Sequence, residues 1–175
     1  RLHHAADRGG IIAREKRGEL LDAGFSTDVI DRCSNMLYEP GIGVLPEAQI
    51  ACDAAEIHAM HDPTEGGLAT GLWEMAAAGD VGMVVRSSDI PMYRHTEDFC
   101  RHFGLDPLGL IASGSLLICT ACDASGEVIN ACRMAGIRCG RIGRVMDAAE
   151  GCRLIGAEGE TELPRYDQDE IGKLF

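Results

Sequence analysis

Positive charge, aromatic side chains and long apolar runs are all scarce in this sequence. Sixteen lysines and arginines face 28 aspartates and glutamates, a formal net charge of −12, and no basic patch interrupts the excess. Nucleic acid and anionic membrane surfaces repel such a chain, so neither is expected as a partner. The uncharged run Leu108 to Cys122 is broken by Ser113-Gly114-Ser115 and falls short of the roughly 20 apolar residues that span a bilayer. No signal peptide opens the chain, which makes the cytoplasm the expected compartment. Aromatics make up 5% of the residues, so the core must come from Leu, Ile, Val, Ala and Met. The chain also lacks an initiating Met: it opens on Arg1 and reads as part of a longer protein.

Cysteine, by contrast, is plentiful, with eight in 175 residues. A chain this long buries roughly 70% of its unfolded surface and needs no disulfides. Cys119-x-x-Cys122 followed by Cys132 and Cys139 imitates a zinc site, but the second pair is too widely spaced for a zinc knuckle. These residues read as buried thiols. Among the histidines, His58 and His61 fall on opposite faces of a strand, and His95 and His102 read as solvent-facing. His3 and His4 stand apart at the terminus. No histidine or cysteine is read as a metal ligand.

Helices are predicted over Ile11–Ala23, closed by Gly24, and from the Ser26 cap to Leu37. The turn-rich stretch "EPGIGVLPEA" leads through Pro46, at N1, into a helix ending near Ala55. This places a helical connector at 1–40 and the main domain at 41–175. Strands and helices then alternate: "EIHAMHD", a helix, "VGMVVR", the helix "RHTEDFCRHF", "SGSLLICT", the helix "SGEVINACRMAG", "IRCGRIGRV" and "CRLI". The acidic tail reads as irregular. The pattern is α+β, with one mixed or antiparallel sheet covered by helices.

The stretch "HDPTEGGLATGLWEMAAAG" carries the functional signal. Asp62 fits an N-cap, Pro63 fits N1 and Glu65 fits N3 of a capping box. Leu68, Leu72, Met75 and Ala76 follow at core-facing spacing. Yet Gly66 and Gly67 sit in the opening turns, where each costs about 1 kcal/mol relative to alanine. Two readings stay open. Either the helix packs closely on its neighbours, or a small phosphate-bearing ligand touches bare backbone at the positive end of the helix. On the second reading, Gly67→Val abolishes turnover and leaves the domain folded. Trp73 reads as a core or interface residue.

"HDPTEGGLATGLWEMA" resembles the His-Asp-x-Thr-x-Gly-Gly-Leu segment in the C-terminal domain of AIR (aminoimidazole ribonucleotide) synthase-related proteins, and within them the HypE group of hydrogenase maturation proteins. "GLDPLGLIASGSLLI", "AGIRCGRIGRV" and the connector "LYEPGIGVLPEA" carry the same resemblance. It implies a split β-α-β arrangement and an N-terminal partner domain that holds acidic metal ligands and forms a homodimer. It also implies ATP- and Mg²⁺-dependent phosphoryl transfer to an oxygen or related acceptor, with this domain closing one side of the cleft. His61, Asp62, Thr64, Gly66 and Gly67 are then the nucleotide- or substrate-binding residues. The alternative is a non-catalytic HypE-like module that binds a phosphate ligand or a protein. Two departures stand out. Glu65 occupies a position where the group often has a basic residue. HypE proteins modify a cysteine at their own C-terminus, whereas this sequence ends "DEIGKLF"; if Phe175 is the true end, the acceptor differs.

Overall fold

Side-chain spacing in the leading residues produces three short helices: α1 (Ala6–Glu15), α2 (Arg17–Asp22) and α3 (Thr27–Asn35). The computed structural model describes residues 6–175, with side chains from residue 9, so His3 and His4 lie outside it. The helix expected over Ile11–Ala23 starts earlier and breaks at Lys16. Gly24, at φ +88°, ends α2, and the Ser26 hydroxyl accepts the Val29 amide at 3.4 Å to start α3, as the sequence indicated. These helices bury Ile12, Leu20 and Ile30 against Phe99, Cys100, Leu105 and Leu110. Phe25 meets Phe99 edge-on, with ring centroids 5.0 Å apart. The leading helices therefore share a core with the residues around 99–110.

Two β-α-β units follow, and they interleave. The first comprises β1 (Ile57–His61), α5 (Gly67–Gly79) and β2 (Val81–Arg86); the second comprises β3 (Leu117–Thr120), α7 (Ser125–Met134) and β4 (Gly143–Asp147). Their first strands pair antiparallel, β1 with β3, and their last strands pair antiparallel, β2 with β4. Helix α4 (Leu45–Ala54) precedes the first unit, with Pro46 in its first turn, and α6 (Arg94–Phe103) separates the two. Strand β5 (Cys152–Gly156) runs parallel to β2, and β6 (Gly159–Glu162) turns back antiparallel to β5.

The class is α+β with open antiparallel and mixed pairing, as the alternation predicted. The strands nevertheless form two sheets, β1-β3 and β4-β2-β5-β6, where one was expected. The main core packs Leu68, Ala69, Leu72 and Ala76 of α5 on Met83, Val85 and Cys152. A second apolar cluster sets Ala51 of α4 against Val128 and Cys132 of α7. Among the described residues, no helix is long and apolar enough to cross a membrane.

The C-terminal segment departs from expectation. Far from being wholly irregular, it supplies β6 and a closing 3₁₀ turn at Glu170–Leu174. Leu163 is 1% exposed, and its amide donates to the Cys152 carbonyl at 2.9 Å. Trp73 donates its indole N–H to the Leu163 carbonyl at 3.1 Å, and the Arg165 guanidinium lies 3.7 Å from its ring centroid. The lone tryptophan is thus a natural reporter of whether this segment is docked.

Candidate functional site

Strand β1 delivers the chain into a loop, 62–66, that ends at α5. The helix begins at Gly67, with Gly66 as its N-cap in the left-handed region, and no side chain caps it. This corrects the capping-box reading. Asp62 is exposed and outside the helix, Pro63 is buried, and Glu65 points to solvent. Pro63 spends its ring on packing: a Cβ at Gly71 would stand 2.6 Å from the Pro63 Cβ.

Both glycines have positive φ, +71° at Gly66 and +69° at Gly67, a backbone region costly for any residue with a Cβ. Gly67 is pressed against main chain. A Cβ there would lie 2.4 Å from the Leu108 carbonyl oxygen and 2.6 Å from that of Leu110. Hydrogen bonds fix the approach: Ala69 N–H donates to Leu108 O, and Ala112 N–H to Thr64 O, both at 3.0 Å. Packing and backbone conformation therefore require both glycines whether or not a ligand binds.

The Gly66 amide donates to Asp169 Oδ2 at 2.9 Å. The other oxygen of Asp169 accepts from Ile111 at 3.1 Å and Ile171 at 2.9 Å. A carboxylate from the C-terminal segment thus occupies the place where helix geometry favours an anion. Asp169 is a residue that sequence reading missed. Its one local signal is the "DEI" that opens the last turn, where Ile171 donates; its two other partners lie 58 and 103 residues away.

Beside it, Glu170 is buried and accepts from the Asp106 amide at 2.8 Å and from Lys173 Nζ at 2.7 Å. Burial pushes the Glu170 carboxyl up, but the Lys173 ammonium and the Asp106 amide together outweigh it and hold the group below the ordinary glutamate range. A carboxyl lowered on folding contributes stability above its unfolded pKa, about 4.3, and loses it as pH falls through the folded value. The Trp73 emission should therefore hold steady down to about pH 4 and shift only below it. In Glu170→Gln that acid-dependent step should shrink.

His61, at the end of β1, is half-buried, with Nε2 2.7 Å from Glu74 Oε2 on α5. The structure therefore joins His61 to Glu74, Thr64 and Gly67 to the 108–112 loop, and Gly66 to Asp169. Asp62, Thr64 and Glu65 remain exposed on one loop. Among the described residues, no group of three or more His, Cys, Asp or Glu side chains is placed to hold a metal ion. The thiols are mostly withdrawn from chemistry: burial raises Cys33 to about 11 and Cys139 to about 12.

Residues 42–154 match the family described as AIR synthase related protein, C-terminal domain. The chain is 37% identical over 131 residues to the carbamoyl dehydratase HypE of Cupriavidus necator, covering 67% of this chain and 37% of that protein. It is 30% identical over 122 residues to the carbamoyl dehydratase HypE of Rhizobium leguminosarum, covering 70% and 32%. The crystal structure of Escherichia coli HypE, a hydrogenase maturation protein, superposes with a TM-score of 0.66 at 27% identity, over 75% of this chain and 42% of that one. The chain thus spans well under half the length of these relatives. With the family's segment running from the connector through β5, and two interleaved β-α-β units to match, the chain belongs to the AIR synthase-related proteins and carries their C-terminal domain.

Proposed function

We propose that this chain is the C-terminal part of an ATP-dependent, HypE-like enzyme that transfers a phosphoryl group to an oxygen or related acceptor, and that it forms one wall of the cleft. The observation that carries this reading is the exposed loop at the β1–α5 junction, inside the family segment. His61, Asp62 and Thr64 present side chains there, while Gly66 and Gly67 shape the turn that holds them. Thr64 can donate its hydroxyl to a ligand oxygen, and Asp62 can accept a proton or a hydrogen bond. Phosphoryl transfer relies on positioning and charge neutralisation, which suits a site shared between two halves of a protein. The Mg²⁺ ligands, and the dimer, belong on this reading to the N-terminal half. That half packs against the connector, where Tyr38 and Leu45 are 71% and 68% exposed.

A second reading, a HypE-like module without catalysis, draws support from Asp169, which already takes the Gly66 amide. One experiment separates the two. The full-length protein is incubated with ATP, Mg²⁺ and candidate acceptors, and release of ADP, AMP or phosphate is followed. Thr64→Val should lower kcat by about 10²-fold, the usual cost of removing one positioned donor, with Trp73 emission unchanged. Turnover indifferent to Thr64→Val and Asp62→Asn would remove this loop from the site. No turnover with any acceptor would leave the binding module.

A further inference from the structure

The gap between the two sheets holds a feature that the proposed reaction does not use. A cavity of about 550 Å³ separates β3 from β4. Its floor is apolar, built from Leu68, Leu72 and Met75 of α5 and Val128 of α7. The two strands border it in an unusual way. Every residue from Ser115 to Thr120 lines it, and so do Gly143, Arg144 and Val145 in succession. A strand that shows a face to a cavity contributes alternate residues, because successive side chains point to opposite sides. Consecutive lining residues mean that the strand presents its edge. Both strands are terminal in their sheets: β3 pairs only with β1, and β4 only with β2, among the described residues. Alternate backbone N–H and C=O groups of each therefore point away from the existing partner, as on any sheet edge.

Charge narrows the occupant. Three arginines, Arg138, Arg141 and Arg144, line the cleft, and no aspartate or glutamate does, although Arg141 and Arg144 also border a neighbouring pocket that contains Asp89, Glu150 and Glu160. This is the reverse of the chain as a whole, in which acids outnumber bases 28 to 16. Arg141 donates to the Cys122 sulfur at 3.2 Å, and Arg138 donates to the Met92 carbonyl at 2.8 Å and lies 5.7 Å from the Tyr93 ring centroid; among the described residues neither is ion-paired with a carboxylate. Val145, 47% exposed, adds apolar surface at the lip.

We propose that this cleft receives an extended, carboxylate-bearing segment of a partner protein, which adds as a strand between the open edges of β3 and β4. Main-chain hydrogen bonds to both edges supply affinity, apolar side chains on one face of the segment settle on α5 and α7, and acidic side chains on the other meet the arginines. The strands have four and five residues, so the segment is short.

The test uses full-length protein and two fluorescein-labelled peptides, one alternating glutamate with valine and the other lysine with valine. Fluorescence anisotropy gives Kd, and hydrogen exchange maps the contact. The glutamate peptide should bind about tenfold or more tightly than the lysine peptide, because like charges meet in the second complex. It should slow exchange at 117–120 and 143–147. Arg144→Glu should weaken it by a similar factor with Trp73 emission unchanged, and Val145→Pro, which removes an edge amide, should impair docking of either peptide. Equal affinity for the two peptides, or protection away from these strands, would overturn the proposal. So would failure of both peptides to bind while decanoate, a simple amphipathic anion, fills the cleft.

Discussion

Gly67→Val should cost the domain much of its stability, not its activity alone. The position has φ +69°, and an L-residue held there pays about 1–2 kcal/mol before any contact is considered. The added Cβ would stand 2.4 Å from Leu108 O, 2.6 Å from Leu110 O and 2.8 Å from the Gly109 carbonyl carbon. These are backbone atoms, tied in place by the Ala69 and Ala112 amides, so they cannot swing aside as a side chain would. Overpacking of this kind adds about 1–3 kcal/mol. The sum, about 2–5 kcal/mol, should lower Tm by roughly 4–20 °C in a chain of this size. Gly66 supplies the internal control. Its Cβ would lie 2.4 Å from the Thr70 hydroxyl, which can rotate away, and 2.9 Å from the Thr70 Cβ, which cannot. Gly66→Ala should therefore cost the left-handed penalty plus a small shift of one side chain, less than Gly67→Val with its three backbone clashes. Circular dichroism melts of the two variants check the order. The sequence alone favoured neither packing nor ligand approach, and its ligand reading had Gly67→Val losing turnover in a folded domain. A variant that keeps its Tm and loses ATP turnover would reinstate that reading.

The glycine pair shows where sequence reading reached and where it stopped. Strands and helices set by local pattern were legible: β2 at Val81–Arg86 and α6 at Arg94–Phe103 fall where periodicity placed them. The start of α5 was not, because Asp62, Pro63 and Glu65 imitate a capping box residue by residue. What overrides the imitation is tertiary. Thr64 O accepts from Ala112, and Pro63 is buried over Gly71, so the loop is drawn off the helix axis before the helix can begin. That pairing also explains why "HDPTEGGL" and "GLDPLGLIASG" carry the family resemblance together: the first packs its glycine on the backbone of the second. β6 was missed for a different reason. Gly159–Glu162 is exposed throughout, so it lacks the apolar alternation that marks a half-buried strand, and only its pairing with β5 defines it. The exposed loop residues Asp62 and Thr64 were legible as candidates by motif. Asp169 was not, because nothing local tells an acidic tail residue that its partners are amides at 66 and 111.

Asp169→Ala should release the C-terminal segment while leaving the two β-α-β units folded. The carboxylate accepts three amides, from Gly66, Ile111 and Ile171, at 2.9, 3.1 and 2.9 Å. Hydrogen bonds to a charged acceptor contribute about 1.5–3 kcal/mol each, though not additively, and deletion leaves the partly buried Gly66 and Ile111 amides without their acceptor. A loss of about 3 kcal/mol follows for docking of residues 163–175, enough to raise the undocked population by about two orders of magnitude. Three signals should appear together: faster exchange of the Ile111 and Ile171 amides, a red shift of Trp73 as Leu163 and Arg165 leave it, and easier proteolysis after Glu162. Asp169→Asn should lie close to Ala rather than to the parent, since its amide group faces N–H donors with a donor of its own and lacks the charge that the start of α5 favours. If Asn behaved like Asp, shape rather than charge would hold the segment. If neither variant moved Trp73, the docking would rest on the buried Leu163 and on Glu170, which holds the Asp106 amide, and the Asp169 carboxylate would be a bystander at the helix start.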